Sequence, residues 1–272
     1  MMMKRFVSIG LLSLLCILLG FCGCSFTKNS AETEADLPEL RIGIDANYEP
    51  YSYIDENGSY AGLDIDLAVE ACSRMGYSAK FVPIKWDDKN SYLANDSIDC
   101  IWSCFTMSGR EDAYDWVGPY MYSRQVVVVR NDSPITTLSD LEGQCVAVMS
   151  STKPEQIFLN SQDDINIPDV DDIYCMENMD LVFSALQYGY VDAAAGHETT
   201  IKQFMDSMTG KYRILDTPLL SVEVGIAFKT GSYTEIQAAL NSALSDMQND
   251  GTLSSILEGY GVDAELQDGG DV

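Results

Sequence analysis

The sequence predicts an α/β fold in two lobes. Strand and helix periods alternate from Leu40 to Trp102, the mark of a parallel sheet with crossover helices. The same rhythm starts again after Val126, although no sequence repeat accompanies it. At 272 residues the chain also exceeds a typical single domain.

Each element follows from a local pattern. Leu40-Arg41-Ile42-Gly43-Ile44 alternates as a strand. Ala68, Ala71, Cys72 and Met75 fall at helical spacing, and Gly76 stops that helix. Strands are expected at Ala79 to Ile84 and at Cys100 to Trp102. Beyond the apolar run Val126 to Val129, Cys145 to Met149 reads as a strand and Glu155 to Asn160 as a short helix. Ile173 to Met176 is a strand, Leu181 to Tyr188 a helix ended by Gly189, and Val191 to Ala195 a strand. Val222 to Phe228 closes the strand series. Helices follow at Ile236 to Met247 and Leu253 to Tyr260, parted by the turn Asn249-Asp250-Gly251. No low-complexity segment interrupts residues 38–262.

The N-terminus has the layout of an export signal: Lys4 and Arg5, then an almost wholly apolar run from Phe6 to Cys22, then Gly23-Cys24-Ser25. Residues 1–23 resemble a bacterial lipoprotein signal peptide, in which a glycine precedes the cysteine that is lipidated. That cysteine is Cys24; Cys22 fits less well, because bulky Phe21 would occupy the cleavage position. Phe21 also departs from the usual leucine three places before Cys24. An uncleaved membrane anchor is the alternative, since the apolar run approaches bilayer length. Either way the rest lies outside the cytoplasm and tethered, with residues 24–37 as a polar, flexible linker.

With 42 acidic against 16 basic residues, a net charge of −26 excludes nucleic acid as a partner. Cys72, Cys100, Cys104, Cys145 and Cys175 lack metal-site spacing and read mostly as buried small hydrophobes; no metal or cofactor is expected.

Chemistry concentrates in Asp99 to Arg110, where a short apolar run empties into small hydroxyl residues and one arginine. Strand ends of this kind place ligands in α/β proteins. Ser103, Thr106 and Ser108 offer neutral hydrogen bonds, and Arg110 offers a planar fork matched to a carboxylate. An ordinary loop, with Arg110 paired to Glu111 or Asp112, reads equally well on this segment alone.

Four blocks resemble the extracellular solute-binding proteins of ABC transporters, in the group that binds polar amino acids. They are Leu40 to Tyr51, Gly62 to Ala68, Ile98 to Arg110 leading to Gly118-Pro119-Tyr120, and Ala239-Leu240-Asn241 with Asp250-Gly251-Thr252. The resemblance spans residues 38–262 and rests on the order and spacing of the blocks. It implies a two-lobed, periplasmic-binding-protein-like fold, each lobe a sheet flanked by helices, joined by two hinge crossovers. Lobe 1 would comprise residues 38–123 and 223–262, lobe 2 residues 124–222, with residues 263–272 an acidic tail. The lobes would close on an amino acid and dock on a transporter permease as a monomer.

The resemblance also implies a site. Arg110 matches the carboxylate clamp, although the turn before it is one residue shorter than the common pattern. Thr106 matches a hydroxyl that helps bind the carboxylate, and the backbone at Ser103 and Cys104 matches positions facing the amine. Ser151 and Thr152 precede a helix whose N-terminus favours an anion; helix capping explains them equally well. Tyr48 and Trp86 match aromatics that sandwich the ligand side chain, with core packing as the alternative. Asp45 matches a contact to polar ligand groups.

The departure is His197, which stands where relatives commonly place the aspartate that holds the ammonium. A neutral imidazole accepts one hydrogen bond but supplies no countercharge. Asp45 and Glu198 are the remaining nearby carboxylates, and His197 also reads as a helix-start residue remote from ligand. A receptor that delivers its ligand to an importer is the leading function. An exported dehydratase of the same fold, using His197 and Glu198, and a ligand sensor are the alternatives; no catalytic constellation favours the enzyme.

Overall fold

A computed structural model describes residues 37–160, 167–262 and Gln267. The expected signal peptide, Cys24 and nearly all of the linker and acidic tail lie outside the described residues.

In chain order the elements are β1 (Glu39–Ile44), β2 (Asn47–Tyr48), β3 (Ser52–Ile54), β4 (Tyr60–Ala61), α1 (Leu63–Met75), β5 (Ser78–Pro83), α2 (Lys89–Ala94), β6 (Cys100–Thr106) and β7 (Asp115–Arg130). Then come β8 (Cys145–Met149), α3 (Lys153–Asn160), β9 (Asp172–Met176), α4 (Met179–Gln187), β10 (Ala193–His197), α5 (Glu198–Asp206), β11 (Tyr212–Ile214), β12 (Leu220–Phe228), α6 (Thr234–Asn249) and α7 (Thr252–Gly259).

The main sheet runs β5-β1-β6-β12-β7-β10-β8-β9, with β11 on β7. Each end is parallel, as the alternating rhythm predicts: β5, β1 and β6 at one end, β10, β8 and β9 at the other. Between them β7 and β12 pair antiparallel, from Asp115↔Phe228 to Gln125↔Leu220. The chain passes from the first half to the second along β7 and returns along β12, so the two expected crossovers are strands of the sheet itself. At Gln125 the pairing of β7 changes hands, since this residue opposes both Leu220 and His197.

Helix α1 begins beside β4 and ends at Gly76, whose φ of 73° lies in the left-handed region that glycine adopts without strain. Its buried face (Leu63, Leu67, Ala68, Ala71, Cys72) packs on the first half, where α6 and α7 return to cover it. Apolar alternation buries Leu40, Ile42 and Ile44 of β1, and in the second half the run Val126 to Val129 is wholly buried. Among the described residues no helix is long and apolar enough to cross a membrane.

Two sequence expectations need correction. Strand β6 does not end at Trp102; it continues through Ser103, Cys104 and Phe105 to Thr106, all buried, because β12 pairs with it at Phe105 and Thr106. Likewise Val126 to Val129 is only the end of a 16-residue strand. Cys72, Cys100 and Cys104 are buried as expected, whereas Cys145 is half-buried and Cys175 exposed; none of the five forms a disulfide.

Candidate functional site

Between the two halves lies a small cavity of about 20 Å³. It brings together Tyr48, Trp86, Cys104, Thr106, Arg110, Ser151, Thr152 and His197, all singled out in the sequence. Phe105, Gln125, Met149, Lys153 and Met179 also line it. Hydrogen bonds cross the cleft on both sides. Ser151 Oγ donates to Asp87 Oδ1 (2.7 Å) and Lys89 Nζ to the Ser151 carbonyl (3.4 Å). Opposite, Thr200 Oγ1 donates to the Glu49 carbonyl (3.1 Å) and Gln203 Nε2 to Glu49 Oε2 (3.2 Å). The halves are therefore closed on one another.

Arg110 is delivered by the short turn that follows β6. Its N–H closes that turn on the Met107 carbonyl at 2.8 Å, with Gly109 at φ +76°. A side chain at Gly109 would be strained, and its Cβ would lie 2.9 Å from Lys153 Nζ. One guanidinium nitrogen donates to the Thr106 carbonyl (3.1 Å), and the group sits 5.3 Å from the Phe105 ring centre. The expected loop alternative is not what forms: Glu111 accepts from the Gly109 N–H, and among the described residues no carboxylate pairs with Arg110. Burial alone holds the guanidinium below its ordinary range. A desolvated cation that no carboxylate neutralises is a ready anion site.

Aromatic walls complete that end. Trp86 is half-buried and packs edge-on against Phe105, with ring centres 5.3 Å apart. Tyr48 is buried and tilted against Tyr51 at 5.3 Å. Buried Lys89 lies 4.8 Å from the Trp86 ring centre; burial first, then the charge of Arg110, lowers its ammonium to about 8.

At the other end His197 is the last residue of β10 and is buried. Its Nδ1 lies 2.9 Å from Ser123 Oγ, its Nε2 2.9 Å from Gln125 Nε2 and 3.5 Å from Thr106 Oγ1. With the Gln125 amide donating to Nε2, the ring proton is on Nδ1 and donates to Ser123. Burial, reinforced by Arg110, pushes His197 down to about 3, so the imidazole is neutral.

Asp45 and Ser103 are not among the residues that line the cavity. The Asp45 N–H donates to Ser103 Oγ (3.1 Å), which also bonds Ser52 Oγ (2.7 Å), while the Asp45 carboxylate accepts from the Asn47 N–H (3.0 Å). The Ser103 side chain is thus fully engaged within the first half. Cys104 lines the cavity, and its N–H donates to Asp64 Oδ2 at 2.6 Å. Glu198, the other carboxylate considered, is held by Arg124 through two hydrogen bonds (2.6 and 3.0 Å) and by Lys202 (3.0 Å). Ser151 and Thr152 serve the structure as well as the cavity. The Ser151 N–H donates to Glu155 Oε2 (2.7 Å) and Thr152 Oγ1 to the Met149 carbonyl (2.5 Å).

Sequence reasoning missed Gln125, Lys153 and Lys89. Gln125 carried a readable signal, a polar residue directly before four valines. Lys153 follows Ser151-Thr152 at the start of α3 and was legible in the same way.

A cation-bearing cavity closed between two halves of an α/β sheet, themselves joined by two strands, defines a solute-binding protein. Residues 40–263 match the family model of bacterial extracellular solute-binding proteins, family 3, and the chain belongs to that family. Among curated proteins it is 25% identical to the L-cystine-binding protein TcyJ of Escherichia coli (strain K12), over 80% of this chain and 81% of that one. It is 28% identical to the lysine/arginine/ornithine-binding periplasmic protein of the same strain, over 86% and 92%. Among solved structures it resembles the ancestral amino acid-binding protein AncCDT-1, a precursor of cyclohexadienyl dehydratase. That likeness has a TM-score of 0.73 and 28% identity, covering 82% of this chain and 95% of that one.

Proposed function

We propose that this chain is the receptor of an ABC importer, enclosing an amino acid or close derivative between lobe 1 (residues 38–123 and 223–262) and lobe 2 (residues 124–222). The observation that carries the reading is the desolvated Arg110, paired with no carboxylate among the described residues, inside a cavity bridged on both sides. Arg110 and Thr106 hold the ligand carboxylate, Tyr48 and Trp86 flank its side chain, and Ser151, Thr152 and His197 face it from lobe 2. The protein works as a monomer and not as an enzyme. A neutral His197 with both ring nitrogens engaged is poorly placed to act as a general acid, which weighs against the dehydratase alternative.

A thermal-shift screen of the twenty common L-amino acids and their N-acetyl derivatives tests the reading. At a hundred times its Kd, a true ligand stabilises the protein by about 2.7 kcal/mol. Absence of any shift across both series overturns it.

The receptor is tethered by lipid on Cys24 after removal of residues 1–23. Cys24→Ala is expected to move the protein from the membrane fraction to the soluble extracytoplasmic fraction. Retention of the variant in the membrane would assign the tether to an uncleaved apolar segment instead.

A further inference from the structure

The polar groups of the cavity specify what its occupant presents. We infer that the ligand is a carboxylate whose nitrogen is uncharged, an N-acylated amino acid, and not a free zwitterion. This rests on the receptor reading above.

The cavity has a place for an anion and none for a second cation. Arg110 and Lys153 line it, and no aspartate or glutamate does. Among the described residues, five carboxylates on neighbouring segments already accept hydrogen bonds from protein groups. Asp64 accepts from the Cys104 N–H and the Tyr120 hydroxyl, and Glu198 from Arg124 and Lys202. Glu155 accepts from the Ser151 N–H, Asp87 from the Ser151 hydroxyl and Asp45 from the Asn47 N–H. An α-ammonium enclosed here would lose its water without gaining a countercharge, an unfavourable exchange in a closed site.

His197 does not replace the missing carboxylate, because both of its ring nitrogens are engaged. What remains is the Gln125 carbonyl. Gln125 is 0% exposed and lines the cavity, and its Oε1 has no hydrogen-bond partner among the described residues. A neutral acceptor of this kind suits an amide N–H. Were the amide reversed, the free group would be an NH₂ donor, which suits an ammonium still less.

A third group completes the pattern. Trp86 Nε1 is buried at the cavity and likewise unpartnered, and as a donor it calls for a neutral acceptor on the ligand. An N-acylated amino acid supplies all three complements: carboxylate for Arg110, amide N–H for Gln125 and acyl carbonyl for Trp86. A free amino acid with an apolar side chain can offer N–H to Gln125 only from an ammonium that gains no countercharge, and it leaves Trp86 Nε1 without an acceptor.

Isothermal titration of the intact mature protein tests this with the twenty common L-amino acids, their N-acetyl derivatives, and the 2-hydroxy acids of leucine and phenylalanine. The best N-acetyl compound is expected to bind at least tenfold more tightly than its parent amino acid. Gln125→Glu, which adds a carboxylate without changing shape, is expected to reverse that order; His197→Asp is the second variant for the same reversal. Tightest binding by a free amino acid overturns the inference and leaves the receptor reading intact. Tightest binding by a 2-hydroxy acid also overturns it, since no acyl group is then needed. Binding by none of these compounds overturns both.

Discussion

Arg110→Ala is expected to abolish ligand-induced stabilisation while leaving the unliganded protein about as stable as before. The two halves of that expectation have separate causes. A ligand carboxylate drawn into the cavity leaves water, and the guanidinium fork repays its desolvation. Without the fork the carboxylate is enclosed unpaired, and truncations of this kind cost about 2–5 kcal/mol. A ligand that stabilises by about 2.7 kcal/mol at a hundred times its Kd would then, at the same concentration, stabilise by less than about 1 kcal/mol. The unliganded protein behaves differently because Arg110 pairs with no carboxylate among the described residues, so its removal strands no buried anion. It gives up one bond to the Thr106 carbonyl and its contact with Phe105, against relief of a desolvated charge. Arg110→Lys separates charge from geometry, since a point charge cannot match both carboxylate oxygens. Thermal shifts of the three proteins with the best compound of the screen provide the check. An unchanged shift in the alanine variant would remove Arg110 from the site.

What the sequence made legible divides along physical lines. Local pattern marked β1, α1, β8 and α4: α1 and α4 carry apolar residues at helical spacing and end at a glycine, while β1 and β8 are short apolar strands that end at polar residues. The long strands were not legible. Residues 115–125 look like loop in isolation and become strand only because β12 lies beside them. For the same reason β6 continues through Ser103 and Thr106, whose hydroxyl side chains oppose a simple apolar reading. Their polar atoms find partners across the fold, at Asp45 and Ser52 for Ser103 and at His197 for Thr106. Arg110, Tyr48, Trp86, Thr106 and His197, which the resemblance singled out, line one cavity. Asp45 and Ser103, singled out in the same way, are not among the residues that line it. Lys89 reaches the cleft through contacts between distant segments, with Trp86 and with the Ser151 carbonyl, which no local pattern encodes.

Asp64 and His197 make opposing contributions to stability across one range of pH. Asp64 is buried, and burial raises its carboxyl to about 7 in spite of the bonds it accepts from Tyr120 and Cys104. Between its unfolded value near 3.8 and about 7, the folded protein holds a proton that the unfolded chain has released. Stability from Asp64 is therefore complete below about pH 4 and is lost as pH rises through 7, by on the order of 4 kcal/mol. His197 has the opposite sign. Its folded value of about 3 lies below the ordinary 6.5, so the unfolded chain takes up a proton that the folded state refuses. Stability from His197 is complete above about pH 6.5 and is lost as pH falls toward 3, by a similar amount. In the unsubstituted protein the two slopes offset one another between about pH 4 and 6.5, and each single variant uncovers the other. Asp64→Asn keeps an acceptor for the Cys104 N–H and cannot ionise. Relative to the parent it is expected to gain stability steadily up to about pH 7. His197→Gln is expected to gain, relative to the parent, only as pH drops below about 6.5. Urea unfolding at intervals from pH 4 to 8 measures both differences, and the background from the chain's large negative charge is nearly common to all three proteins. Parallel profiles for Asp64→Asn and the parent would mean that Asp64 is ionised in the folded state throughout. The carboxylate beneath Cys104 would then be a fixed negative charge directly behind the ligand cavity.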